Sequence, residues 1–315
     1  MIEIADIRAA SRRIAGKVHR TPLFSSSQMG DMAGVRLHLK CESLQKTGSF
    51  KVRGALNKIL SLSDEERARG LVTVSAGNHA AAVAWGARAA GCTAVVVMPT
   101  DAPQSKKDAV RGYGAEIVEH GDRATLFDKL EEQRAARGLT FVHPFDCPVV
   151  LAGAGTTGLE IAEDLPDVEV VIVPVGGGGL MGGVTSALRQ LLPKVRIVAV
   201  ELEEGPGLGP AIAAGKPIPV KRPNTLADGM TPPFVGALPL AIAKEAVDDI
   251  VTVTEAEIVH AMKMLMSRAK LYVEASGAAA TAALLAGKVR VDVGKKTVAI
   301  VSGGNVDLSR VAALI

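Results

Sequence analysis

Lys51 lies in the run Thr47-Gly48-Ser49-Phe50-Lys51-Val52-Arg53-Gly54, an amine at the start of a predicted helix with small and apolar neighbours. Gly176-Gly177-Gly178-Gly179 follows a strongly apolar strand later in the chain. A glycine run at a strand–helix junction lets successive backbone N–H groups face an anion, aided by the positive end of the helix dipole. Such a run also serves as a flexible turn, but four glycines directly after the apolar strand Val170–Val175 favour a phosphate cradle. A lysine taken alone is a solvated surface group. At a helix start in an apolar setting its pKa falls, and a neutral amine is the form that attacks an aldehyde. Together the amine and the cradle point to a cofactor with an aldehyde at one end and a phosphate at the other.

Three loops are predicted to converge on that cofactor. Ser75-Ala76-Gly77-Asn78, Gly176 to Gly179 and Ser302-Gly303-Gly304-Asn305 each follow a predicted strand and precede a predicted helix. Ligands of open α/β sheets bind beyond the carboxyl ends of strands, at such junctions, so one shared cleft is expected. At Asn78-His79 a capping asparagine and a ligand contact are both open readings.

The elements that must position these loops alternate along the chain. Predicted strands are Val35–Glu42, Leu71–Ser75, Thr93–Met98, Glu116–Glu119, Thr140–His143, Val168–Val175, Ile197–Val200, Ile250–Val253 and Thr297–Val301. Predicted helices are Phe50–Leu62, Asn78–Ala90, Gln104–Gly112, Thr125–Arg137, Thr157–Asp164, Met181–Leu192, Glu255–Ala269, Ala278–Ala286 and Asp307–Leu314. The alternation, with near-continuous apolar strands, predicts a doubly wound α/β architecture. The Pro- and Gly-rich stretch from Gly205 to Pro239 reads as long surface loops that partly cover the cleft.

Composition narrows the function classes. The chain has 315 residues, 48% hydrophobic but only 3% aromatic, so aliphatic side chains must build the core. A net charge of +3, without any polybasic stripe, argues against nucleic acid as a partner. Cys41, Cys92 and Cys147 are dispersed and read as reduced thiols. Glu3 and Asp6 argue against a signal peptide and no apolar run reaches transmembrane length, so a soluble cytoplasmic protein is expected. No HExxH and no GxSxG occurs, which speaks against zinc and serine-hydrolase chemistry.

With these motifs in hand, the chain resembles the fold-type II pyridoxal-phosphate enzymes, and among them the threonine/serine dehydratase and serine racemase branch. The landmarks run in order over nearly the whole sequence: Glu42 to Lys51, Ser75 to His79, His143-Pro144-Phe145, Gly155-Thr156, Gly176 to Leu180, Ala227-Asp228-Gly229, Val273-Glu274 and Ser302 to Asp307. The resemblance implies a two-domain, tryptophan synthase β-like fold. Residues 1–69 and 147–315 would form the large, pyridoxal 5'-phosphate-binding domain and 70–146 the small one. It also implies roles. Lys51 would condense with the cofactor aldehyde and then remove the substrate α-proton. Gly176, Gly177, Gly178, Gly179 and Leu180 would hold the phosphate. Phe50 would lie on the ring, Asn78 would meet its hydroxyl, Ser302 its nitrogen, and Glu274 would lie close by. Ser75, Asn78 and His79 would take the substrate carboxylate, with Arg123 assisting.

A hydroxyl facing the pyridine nitrogen does not hold it protonated, so the ring is a weaker electron sink. Such a site suits loss of a β-hydroxyl as the α-proton leaves, giving a 2-oxo acid and ammonia from L-threonine, L-serine or a relative such as 3-hydroxyaspartate. Racemase members carry a serine where this chain has Ala76, and a methyl cannot donate a proton on the second face. Ala154 and Ala275 also depart from the usual glutamine and proline. Cation-dependent members use a glutamate, a carbonyl and an aspartate in one loop; Glu201 and Gly205 match but Gly207 replaces the aspartate, so no metal is expected. A homodimer or homotetramer is the family-level expectation. Racemisation and a non-catalytic binding protein on the same fold are the competing expectations.

Overall fold

The computed structural model describes residues 1–314 and contains two sheets. The strands are β1 (Leu23–Ser25), β2 (Arg36–Cys41), β3 (Leu71–Val74), β4 (Ala94–Pro99), β5 (Glu116–His120), β6 (Thr140–Phe141), β7 (Val170–Pro174), β8 (Arg196–Leu202), β9 (Asp249–Val253) and β10 (Lys296–Val301). Six of them form a sheet in the order β1-β2-β10-β7-β8-β9, and four form a second in the order β5-β4-β3-β6. Every pairing is parallel except β1 with β2.

Both faces of each sheet are covered, which explains strands that are apolar throughout. In the larger sheet Ile172, Val198, Val200 and Val301 face the helices Glu255–Arg268 and Ala275–Leu285. Val171, Val173, Ile197 and Ile300 face the helix Gly179–Leu191 through Leu180, Val184 and Leu188. In the smaller sheet Val96 and Met98 meet Ala80 and Val83 of the helix Asn78–Ala89, whereas Val72 and Val97 meet Leu126 and Leu130. Each fully buried valine or isoleucine contributes roughly 1.5–3 kcal/mol, so these layers fix the strand ends that carry the loops.

Several elements depart from the sequence expectation. Three-residue β1 carried no alternation long enough to see. The helix Ile4–Ile14 was unpredicted, although Ile7, Ala10 and Ile14 form its buried stripe. The expected helix Thr157–Asp164 begins instead at Pro148, with that proline in its first turn. Its glycines conceal it: a Cβ on Gly153 would lie 2.5 Å from the Arg53 carbonyl oxygen, and one on Gly158 2.9 Å from that of Val184. Glycine is there because neighbouring helices approach at backbone distance, which overrides its low helix propensity. The stretch Gly205–Pro239 is not all loop; it contains the helix Leu208–Ala214 and the 3-10 turn Asp228–Met230, and the helix Ala237–Ala246 begins within it. No helix among the described residues is long and apolar enough to cross a membrane.

Candidate active site

Lys51 is the first residue of the helix Lys51–Leu60. The chain just before it is stitched to the end of β10: Phe50 N–H donates to the Ser302 carbonyl at 3.1 Å, Gly304 N–H donates to Gly48 O at 2.8 Å, and Ser49 bridges Gly303. These bonds fix the Lys51 backbone against the loop that carries Ser302. The Lys51 ammonium donates to the Pro144 carbonyl at 2.9 Å and lies 5.2 Å from the centre of the Phe50 ring. Burial, with no carboxylate paired to it, pulls its pKa down to about 8.

The glycine run follows β7 and opens the helix Gly179–Leu191, with Gly178 as N-cap in the left-handed region at φ +90°. Among the described residues no acceptor is bonded to the N–H groups of Gly176, Gly177 or Gly178. The surroundings leave no room for side chains. A Cβ on Gly177 would meet the Phe145 ring at 2.3 Å, one on Gly178 would meet Pro239 at 2.5 Å, and one on Gly176 would meet Gly229 O at 2.7 Å. The loop is thus a bare backbone with unbonded donors at a helix N-terminus, the arrangement that holds phosphate. Gly178→Ala combines a disfavoured φ with a clash and is expected to cost about 1–3 kcal/mol. Thermal melts with and without inorganic phosphate check this, and phosphate should protect the variant less than the parent.

Asn78, Glu274 and Asn305 form one chain of hydrogen bonds. Asn78 Nδ2 donates to Glu274 Oε1 at 2.6 Å, Asn305 Nδ2 donates to Asn78 Oδ1 at 2.8 Å, and the same nitrogen reaches Thr47 O at 2.7 Å. These bonds join the Asn78–Ala89 helix start of the smaller sheet to loops of the larger one. Burial, reinforced by Asp228, pushes the Glu274 carboxyl up to about 7. The folded protein therefore holds a proton here that the unfolded chain, with an ordinary carboxyl, releases near pH 4.5. The resulting stability is fully present below pH 4.5 and is lost as pH rises through about 7. Glu274→Gln should accordingly gain stability relative to the parent between these limits, by up to about 3 kcal/mol above pH 7. A difference in melting temperature that stays constant from pH 5 to pH 8 would refute this assignment.

The remaining predicted residues are placed less uniformly. Ser75 Oγ accepts from Gly77 N at 3.1 Å within its own loop. Ser302 Oγ is buried and donates to Ser276 O at 3.4 Å. The His79 ring is buried, with Nε2 3.0 Å from Val142 O and Nδ1 without a partner; burial and then Lys51 hold its pKa down near 3, so the ring stays neutral. Arg123 is exposed and forms a forked pair with Asp101 at 3.1 and 2.7 Å. Glu201 accepts from Gly207, Leu208 and Gly209 N–H groups at 2.7, 2.5 and 2.9 Å, so its carboxylate caps the Leu208–Ala214 helix.

Sequence reasoning gave no role to the aromatic wall. Phe145 stacks edge-on to His143 at 4.9 Å and to Phe234 at 5.4 Å, and Phe234 reaches Phe127 at 6.4 Å. A chain with only six phenylalanines that sets Phe145 against its glycine run carries a compositional signal there. Lys106 was also missed; its ammonium sits 2.5 Å from Asp228 Oδ2.

The sequence matches the family described as pyridoxal-phosphate dependent enzyme over residues 14–303. It is 45% identical to L-threonine ammonia-lyase of Thermotoga maritima, covering 100% of this chain and 78% of that protein. It is 43% identical to the catabolic L-threonine dehydratase of Escherichia coli K12, covering 99% and 96%. Among solved structures, maize serine racemase superposes with a TM-score of 0.94 at 40% identity, covering 99% of this chain and 96% of that one. The lysine at the helix start, the glycine cradle and the full-length similarity converge: this chain belongs to the pyridoxal-phosphate dependent enzymes of fold type II.

Proposed function

We propose that the protein is an ammonia-lyase that converts L-threonine or L-serine to a 2-oxo acid and ammonia. The observation that carries this reading is the Lys51 amine, uncharged more readily than an ordinary lysine, at the same end of the sheets as the Gly176–Gly179 cradle and the Ser302 hydroxyl. With a pKa near 8, about a tenth of the amine is neutral at pH 7, roughly three hundredfold more than for a free lysine.

The residues present fit the family cofactor. The unbonded N–H groups of Gly176, Gly177 and Gly178, on a backbone whose Cβ positions are closed by Gly229, Phe145 and Pro239, suit its phosphate, with Gly179 and Leu180 opening the helix behind them. When bound, pyridoxal 5'-phosphate supplies an aldehyde for the amine and a ring that draws electron density from the substrate α-carbon. Phe50 would flank that ring, and Ser302 would offer a hydroxyl, not a carboxylate, to its nitrogen. Asn78 and Glu274, one hydrogen-bonded unit, would meet the ring together. The backbone of Ser75–His79, at the start of a helix, suits the substrate carboxylate. Lys51 Nζ would take the α-proton, which balances loss of the β-hydroxyl as water, and a water would then hydrolyse the released imine to 2-oxo acid and ammonia.

Incubating the purified holoenzyme with each amino acid and measuring 2-oxo acid and ammonia tests the proposal. No product from either substrate would overturn it. Racemisation is the second reading, favoured by the similarity to maize serine racemase. Ala76 opposes it, since its methyl packs against the Val83 and Ala80 cluster and offers no proton. Chiral chromatography of residual serine separates the two. We further propose a cytoplasmic homodimer or homotetramer, with a small domain of residues 70–146 and a large domain from the rest.

A further inference from the structure

We propose that His143 is a positioning residue for Lys51: it grips one edge of the Pro144–Phe145 peptide plane and so holds the carbonyl on the other edge against the Lys51 amine. Its effect on turnover rests on the lyase reading above, whereas the grip itself concerns the chain alone.

A trans peptide unit is planar, with its N–H and C=O on opposite edges. Phe145 N–H donates to His143 Nδ1 at 3.2 Å, and the Pro144 carbonyl of the same unit accepts from Lys51 Nζ at 2.9 Å. Asp146 N–H also donates to His143 Nδ1, at 2.8 Å. A ring nitrogen that accepts two N–H groups carries no proton, so this network assigns the imidazole hydrogen to Nε2. Burial keeps the ring in that neutral form, with its pKa lowered to about 4.

The rest of the segment is fixed independently. Upstream, Val142 N–H donates to Val72 O at 3.0 Å and Val142 O accepts from Thr73 Oγ1 at 2.9 Å. Downstream, the Asp146 carboxylate accepts from Ala237 and Leu238 N–H groups at 2.9 and 3.0 Å. The proline ring fixes φ at position 144 and holds His143 in extended backbone. What remains free is rotation of the Pro144–Phe145 plane, and the imidazole sets it. Without that grip the carbonyl can swing away from Lys51, whose Nζ makes no other hydrogen bond among the described residues. His79 and His143 are the titratable groups in the field of the amine, and burial holds both neutral, so neither replaces the carbonyl as a charged partner. An amine that takes up a proton needs an acceptor for its new N–H, and this carbonyl is the one in place. The landmark His143-Pro144-Phe145 thereby gains a role.

Two variants separate the acceptor from the ring. His143→Asn puts a side-chain oxygen where Nδ1 sits. His143→Phe keeps a ring edge-on to Phe145, now 4.9 Å between centres, but cannot accept. In the full-length chain freed of cofactor, acetic anhydride labelling of Lys51 across pH, read by peptide mapping, gives the midpoint at which the amine loses its proton. That midpoint should fall by about one pH unit or more in His143→Phe, because the charged form loses its acceptor, and should match the parent in His143→Asn. In the holoenzyme, kcat for threonine should drop about tenfold in His143→Phe with KM little changed, and recover in His143→Asn. A role through ring packing predicts the opposite order of the two variants. That order, or a Lys51 midpoint unmoved in His143→Phe, overturns the proposal. If the parent is silent on threonine and serine, the lyase reading fails while the labelling still decides the role of His143. His143→Leu replaces His143→Phe should the latter not fold.

Discussion

Lys51→Ala is expected to reduce threonine and serine turnover by about three orders of magnitude or more, because one side chain supplies both the covalent anchor and the base. The geometry offers no substitute close by. His79 is buried and neutral with its Nε2 against Val142 O, and burial holds His143 near 4 while its Nδ1 accepts from Phe145 and Asp146 N–H groups at 3.2 and 2.8 Å. Lys40, which is fully buried, is committed to Glu160 at 2.6 Å. The variant should retain its fold, since Lys51 Nζ makes a single hydrogen bond, to Pro144 O. It should also retain partial affinity for pyridoxal 5'-phosphate through the glycine cradle, yet lose the visible absorbance of a C=N linkage. Lys51→Arg should fare no better, because a guanidinium stays protonated. Residual 2-oxo acid production near the parent rate would overturn the assignment, as would borohydride labelling found at another lysine in the parent.

Much of this site was legible because its chemistry demands unusual local sequence. Four consecutive glycines, and a lysine framed by Gly48 and Gly54, stand out in a chain of otherwise regular alternation. The sheet was legible for the same reason: strands buried on both faces, such as β4 and β7, must be apolar at every position. What stayed hidden depends on distant partners. Arg123 and Lys106 are both cations near predicted loops, and only the fold shows which aspartate each one meets. His79 follows Asn78 directly, yet one step along a helix turns its ring toward Val142 and away from Glu274. The first half of the helix Pro148–Asp164 escaped notice because Gly153 and Gly155 answer to the backbones of other helices, information absent from any local window.

Arg53 shows how a residue two positions from the reactive amine can govern it through stability. Its guanidinium is 1% exposed and makes a forked contact with Glu42, Nε to Oε2 and Nη2 to Oε1, both at 2.8 Å. It also reaches Glu160 Oε1 at 2.7 Å and Thr156 Oγ1 at 3.1 Å. Lys40 completes the cluster against Glu160, so two cations balance two carboxylates in the interior. Burial pushes the Glu42 carboxyl up, but the charge and hydrogen bonds of Arg53 outweigh it and hold the pKa below the usual carboxylate value. Arg53→Met removes one cation and leaves an excess buried charge, which is expected to cost about 3–5 kcal/mol, a large share of a typical folding free energy. Arg53→Lys keeps the charge but not the planar fork, and should fall between the two. Adding Glu160→Gln to Arg53→Met leaves Lys40 against Glu42 and restores neutrality, so the double variant should be more stable than Arg53→Met alone. Urea denaturation of these proteins and of Glu160→Gln alone decides this: additive losses would show that Arg53 acts through packing, whereas recovery in the double variant would show that charge balance beneath Lys51 is what the helix Lys51–Leu60 requires.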